Sequence, residues 1–248
     1  WYYILAFFAQ IIDGFAGFGS TTIAVPFLAI AIGTSSAVAL LAVNSLVSGA
    51  IVFFTHIRSV NWKEYAKIAL ITIPLLPVGI LAYSAISKYE AALKLILGAI
   101  VIYAGARGTW YGFVKKSEPP ALGSVAQYAA LIAGALAQGM FSVGGPFITL
   151  YANEQLKDKS SFRATMSAMW FSVNIVATTL RVLMLDMYTK ETFTAFAYCL
   201  PVLASGVVIG MILHKRIDNA GFRKIVYLIM LAGGLTSTAY CLAGLIAA

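Results

Sequence analysis

Asp13 is the only acidic residue before Glu64, and it opens the stretch Asp13 to Ser20, DGFAGFGS, inside an apolar run that extends from Trp1 to Ile32. A carboxylate in a lipid-embedded helix costs at least ~2.5 kcal/mol on insertion scales, so it serves a purpose such as a proton relay, or it caps a helix break or reaches water. Gly14, Gly17 and Gly19, which follow it, weaken a helix interior. They fit two chemistries: a cradle for a nucleotide phosphate, or a helix break whose free N–H groups hold a small anion. The nucleotide reading is weak. The spacing is G-x-x-G-x-G rather than G-x-G-x-x-G, and no carboxylate follows about 20 residues on to bind a ribose.

A second such stretch, QGMFSVGGPFITLYA, starts at Gln138 and aligns with the first without a gap, Gly14 meeting Gly139 and Gly19 meeting Gly144. Asp13 and Gln138 thus hold equivalent places just before the two interruptions. Half-helices are expected to restart near Ser20-Thr21 and at Pro146, since proline at a first helical position lacks an N–H that would be orphaned there. Their free N–H groups and positive dipole ends suit an anion, and Ser20, Thr21, Thr22 and Ser142 add hydroxyl donors. Gly144 and Gly145 let backbone approach a ligand without a Cβ in the way. The competing reading of these glycines is close helix packing. The candidate anion-binding residues are therefore Gly17, Gly19, Ser20, Thr21, Thr22, Gln138, Ser142, Gly144 and Gly145, with Asp13 as the proton-coupling candidate. Asn44 and Asn174, polar in mid-segment, join the binding set, with interhelical hydrogen bonding as their alternative. Arg181 is expected to snorkel or pair with Asp186, and His56 to be an interfacial structural residue.

Such residues need a scaffold without water around it. The 248-residue chain is 61% hydrophobic and 10% charged, with a mean hydropathy of +0.89. Soluble domains carry about 25% charged residues, so an integral membrane protein is expected. The apolar runs have helical rather than alternating periodicity, which implies an all-α polytopic fold. Bounded by charges, they form eight segments: 1–32, 36–57, 66–87, 91–111, 122–153, 162–185, 192–213 and 222–247. The stretch FVKKSEPPALG divides them four and four, giving an N-terminal repeat over 1–112, a linker over 113–121 and a C-terminal repeat over 122–248. Beyond the glycine stretches, Lys63-Glu64 pairs with Lys190-Glu191, Pro74 with Pro201 and Gly79 with Gly206.

A 32-residue helix would be about 48 Å long against a hydrocarbon core of roughly 30 Å, so segments one and five must tilt steeply or break. If all eight segments cross, nine of the 17 basic residues share one side. If segments one and five are re-entrant hairpins, 13 share one side and four lie elsewhere, a positive-inside signal. The 13 are Arg58, Lys63, Lys67, Arg107, Lys115, Lys116, Lys157, Lys159, Arg163, Lys215, Arg216, Arg223 and Lys224. Each half then crosses three times, and the two repeats are inverted. The formal charge of +8 belongs to these loops rather than to a nucleic-acid surface. Cys199 and Cys241 lie in apolar runs and read as packed hydrophobes. No charged stretch with a short apolar core precedes Trp1, so no cleaved targeting peptide is expected in this numbering.

The doubled glycine motif, each copy followed by P-F-L or P-F-I-T-L, resembles the TauE/SafE sulfite exporter family across essentially the whole chain. The resemblance implies a secondary exporter of small sulfur-containing anions such as sulfite or organosulfonates, in a bacterial inner membrane. The sequence departs from the family signature where Gly19-Ser20-Thr21 replaces a glycine triplet and where Pro146 stands at a usual third glycine. No G-x-x-x-x-G-K-[ST] motif is present, so a gradient rather than nucleotide hydrolysis would power it. A passive anion channel and, further off, an intramembrane enzyme are the alternatives. Against the enzyme, the two histidines lie far apart and no H-E-x-x-H occurs. No cofactor and no metal are expected. The expected partners are one small sulfur oxyanion or organosulfonate and the lipid bilayer. Homo-oligomerisation is compatible with the sequence but not specified by it.

Overall fold

The computed structural model describes residues 2–32, 34–86, 90–141, 144–185 and 190–247. These residues form ten α-helices: α1 Tyr2–Ala16, α2 Ser20–Ile32, α3 Thr34–Thr55, α4 Trp62–Ile86, α5 Glu90–Trp110, α6 Ser124–Phe141, α7 Gly145–Gln155, α8 Lys159–Leu185, α9 Lys190–Lys215 and α10 Asn219–Ala247. No strand occurs among the described residues. Five helical stretches are long and apolar enough to cross a membrane: Ser36–Thr55, Trp62–Ala82, Ala91–Lys115, Phe196–Lys215 and Asn219–Leu245. The chain is an integral membrane protein.

The glycine stretches punctuate the helices as local chemistry requires. Helix α1 stops at Ala16, and the next residues include Gly17 and Gly19 at φ +80° and +104°, left-handed values that a side chain would strain. The chain restarts as α2 at Ser20, while α6 stops at Phe141 and α7 restarts at Gly145 with Pro146 in its first turn. Both stops and both restarts are therefore 125 residues apart, 141 less 16 and 145 less 20. Helix α4 begins under a side-chain cap, where Asn61 Oδ1 accepts the Glu64 N–H at 3.2 Å.

The helices pack in a crosswise pattern. Helix α1 lies against α9 and α6 against α4, while α5 pairs with α10 and α3 with α8. The crossings are close because glycines meet backbone: a Cβ on Gly79 would stand 2.6 Å from Leu136 O, and one on Gly206 2.7 Å from Phe7 O. Phe15, Phe18, Phe162 and Phe222 join Met166, Met169 and Val226 in the main buried cluster. Large apolar side chains on the outside, such as Ile30, Leu70 and Tyr198, face what must be lipid.

Several basic connections meet at one end of the bundle. Arg223 donates to Lys157 O and pairs with Glu118, Lys159 donates to His214 O and Ile217 O, and Arg107 donates to Pro120 O. One of the 13 basic residues assigned to that side departs from the expectation. Arg163 is only 1% exposed, because it lies one turn into α8 rather than in the preceding loop, with its guanidinium turned inward. Asp186 and Ser142 lie outside the described residues.

Candidate functional site

A small cavity, about 30 Å³, opens where the two interruptions face each other. The first contributes Asp13, Gly17, Phe18, Gly19, Thr21 and Thr22, and the second contributes Gln138 and Gly145. A Cβ on Gly145 would come within 3.7 Å of Thr22 Oγ1, so the restarts of α2 and α7 are neighbours across this space.

Asp13 is the hub of the first interruption. Its Oδ2 accepts the hydroxyls of Ser20 at 2.6 Å, Ser45 at 3.1 Å and Ser48 at 3.1 Å, while Oδ1 accepts the Ser20 N–H at 3.2 Å. A carboxylate with hydroxyl and backbone donors around both oxygens is held in place without a cation. Thr21 Oγ1 lies 3.1 Å from Ser45 Oγ and extends the hydroxyl cluster along the wall. At the second interruption Gln138 Oε1 accepts the Gly144 N–H at 3.0 Å. The two aligned residues thus do one job, each tying the end of one helix to the start of the next.

The carbonyl end of α1 is closed by side chains of α8 and α9. Gly14 O accepts Arg163 Nη1 at 3.2 Å and Phe15 O lies 2.9 Å from His214 Nδ1, while Gly17 N–H donates to Asp13 O at 2.7 Å. A positive group at a helix C-terminus satisfies carbonyls that the helix leaves open. Phe18, 2% exposed, packs edge-on against Phe162 at 6.1 Å and pins the loop between.

Helix α8 supplies the opposite wall through Ser167, Trp170 and Asn174, spaced to share one helical face. Trp170 keeps its buried indole N–H without a hydrogen-bond partner among the described residues. The cavity lining combines hydroxyl, amide and indole donors with the Asp13 carboxylate, and no lysine or arginine lines it. Such a lining offers a small anion hydrogen bonds and the positive ends of helix dipoles, with Asp13 as its one acidic group.

Of the residues expected from the sequence, Asp13, Gly17, Gly19, Thr21, Thr22, Gln138, Gly145 and Asn174 line this cavity. Ser20 and Gly144 stand behind it, bonded to Asp13 and Gln138. Asn44 does not line it: its Oδ1 accepts Tyr2 OH at 3.2 Å on another side of α3. Sequence reasoning missed Ser45, Ser48, Gly49, Ser167 and Trp170. The signal for Ser45 and Ser48 was there, since both fall on one face of α3 within an otherwise apolar run.

Helices of a membrane protein that enclose a donor-lined cavity, as the described residues do, suit the class of membrane transporters. The family model described as Sulfite exporter TauE/SafE matches residues 2–237, and the chain belongs to that family. Neither a curated protein nor a solved structure gives a significant match. The family implies a sulfite exporter-type membrane transporter.

Proposed function

We propose that this protein is a secondary exporter that holds one small sulfur-containing anion, sulfite or an organosulfonate, between the two glycine-rich interruptions near the bilayer midplane. The observation that carries the reading is the shared cavity: two helix restarts 125 residues apart line one space with hydroxyl and amide donors. Interrupted helices survive in a membrane where they are buried in protein or line a cavity, and the positive ends of half-helices favour anionic groups. On this reading segments one and five are re-entrant hairpins and the halves are inverted repeats. The crosswise packing supports that, since α1 on α9 and α6 on α4 exchange roles under a two-fold relation, while α5 with α10 and α3 with α8 map onto themselves. Asp13 is the proton-coupling group: an ionised carboxylate on the cavity wall repels the anion, and a proton taken up there lets both charges move as a neutral pair. The membrane is a bacterial inner membrane.

The test is binding to purified protein of sulfite, thiosulfate, sulfoacetate, taurine, sulfate and carboxylates of similar size, followed by flux in vesicles. Sulfonates selected over carboxylates, with saturable flux, are the expected outcome. Flux linear in substrate would make the protein a channel, and product formation an enzyme. Equal binding of carboxylates would remove the sulfur specificity.

A further inference from the structure

A second and larger cavity, about 400 Å³, lies away from the donor-lined site, between α5, α6, α7 and α10. Its size lies within the range of about 300–1,000 Å³ common for small-molecule sites. One wall is a face of α6 made of Ala126, Ala129, Ala130 and Ala133, whose spacing puts four methyl groups where larger side chains would close the gap. Ile100 and Tyr103 of α5, 45% and 69% exposed, form the rim that opens toward the bilayer. The inner wall is Phe147 and Leu150 of α7, the helix that restarts at the second glycine interruption.

The cleft is apolar along its length and polar at one end. There Arg107, Asn153, Glu154 and Tyr227 meet, beside Pro119 of the linker and Leu122 just after it. Glu154 is already neutralised: Lys157 Nζ lies 3.5 Å from Oε2, and Oε1 accepts the Leu122 N–H at 3.2 Å. Arg107 uses one nitrogen on Pro120 O at 3.0 Å and brings a positive charge with further donors. Asn153, 6% exposed, has a side-chain N–H2 without a hydrogen-bond partner among the described residues, although it lines the cavity. A buried amide donor left unpaired costs free energy unless a ligand supplies the acceptor.

We propose that this cleft binds an anionic glycerophospholipid from the surrounding bilayer, an acyl chain along the α6 alanine face and the phosphate at Arg107 and Asn153. Three features select that occupant. The apolar part opens to lipid rather than to water. The polar end lies beside the basic connections of Lys157 and Arg223, where headgroups belong. The unsatisfied groups at that end are donors, which fit a phosphate and leave a zwitterionic headgroup's ammonium without a partner. Bound there, the lipid lies against Phe147 and Leu150 of α7, and so steadies one wall of the donor-lined cavity.

The experiment uses delipidated protein in mild detergent, titrated with dioleoylphosphatidylglycerol or dioleoylphosphatidylcholine and followed by native mass spectrometry. Phosphatidylglycerol is expected to bind as one retained molecule with a preference of about tenfold or more, the size of one charge-assisted hydrogen bond. Arg107→Gln is expected to erase the preference while leaving the melting curve intact. Ala130→Trp, which fills the cleft, is expected to expel the lipid. Equal affinity for the two lipids overturns the proposal, as does wild-type phosphatidylglycerol affinity in folded Arg107→Gln. Dimers that hold no lipid and vanish in Ala130→Trp would assign the cleft to a second copy of the chain and overturn it too. If Ala130→Trp fails to fold, the Arg107→Gln comparison decides alone.

Discussion

Ser20, the first residue of α2, donates its hydroxyl at 2.6 Å to Asp13, which lies three residues before the end of α1. The bond closes the interruption from the inside and turns a run of glycines into a fixed loop. Asp13 also draws in Ser45 and Ser48 from α3, so one carboxylate ties three helices at the cavity wall.

Asp13→Asn keeps an acceptor toward the Ser20 N–H but sets an amide N–H2 against a cluster of hydroxyls. The variant is expected to lose about 1–3 kcal/mol of stability, the effect of disturbing buried hydrogen bonds to a charged group. Anion binding is expected to persist, while transport in vesicles loses its dependence on pH. A pH profile identical to wild type would leave Asp13 as a structural tie only.

The two interruptions should differ in tolerance. A Cβ on Gly144 would lie 2.1 Å from Gly134 O, a backbone atom that can move only with α6, whereas one on Gly19 meets the end of the Ile229 side chain at 2.6 Å. Gly144→Ala is therefore expected to cost about 2–3 kcal/mol through overpacking, and Gly19→Ala about 1–2 kcal/mol, chiefly from its left-handed backbone. Thermal unfolding in detergent ranks them. Valine at either position is expected to abolish sulfite binding in the fraction that still elutes as a single species.

Trp170→Phe removes an indole N–H that has no protein partner and keeps most of the ring's packing. Stability is expected to change by less than about 1 kcal/mol, since no protein hydrogen bond is lost. Sulfite affinity is expected to fall by about tenfold if that N–H serves the ligand. Calorimetric titration of both proteins separates the two effects, and unchanged affinity would take the indole out of the site.

Arg223 touches both the linker at Glu118 and the α7–α8 connection at Lys157. Single cysteines replacing Ser117 and Ser160 should accordingly be accessible to an impermeant thiol reagent from the same side of the membrane, the cytoplasm. Labelling from opposite sides would exclude re-entry of segment five and restore a chain in which that segment crosses.

The sequence by itself specified what short-range chemistry controls. Hydropathy and helical periodicity required an all-α membrane protein, because unpaired backbone cannot face lipid. Glycine and proline placed the expected restarts near Ser20-Thr21 and at Pro146, and the helices begin at Ser20 and Gly145. Which side of each helix faces the cavity depends on crossing angles and on neighbours as far as 199 positions away, so it belongs to the tertiary structure. Asn44 and Asn174 look alike in sequence, yet α3 turns Asn44 toward Tyr2 and shows Ser45 and Ser48 to Asp13, while α8 brings Asn174 to the cavity beside Trp170. Arg163 reads as a loop cation, but packing carries it inward to the carbonyl end of α1, where Gly14 O needs a donor. A residue's polarity says that it needs a partner, and only the packed helices decide which partner comes within reach.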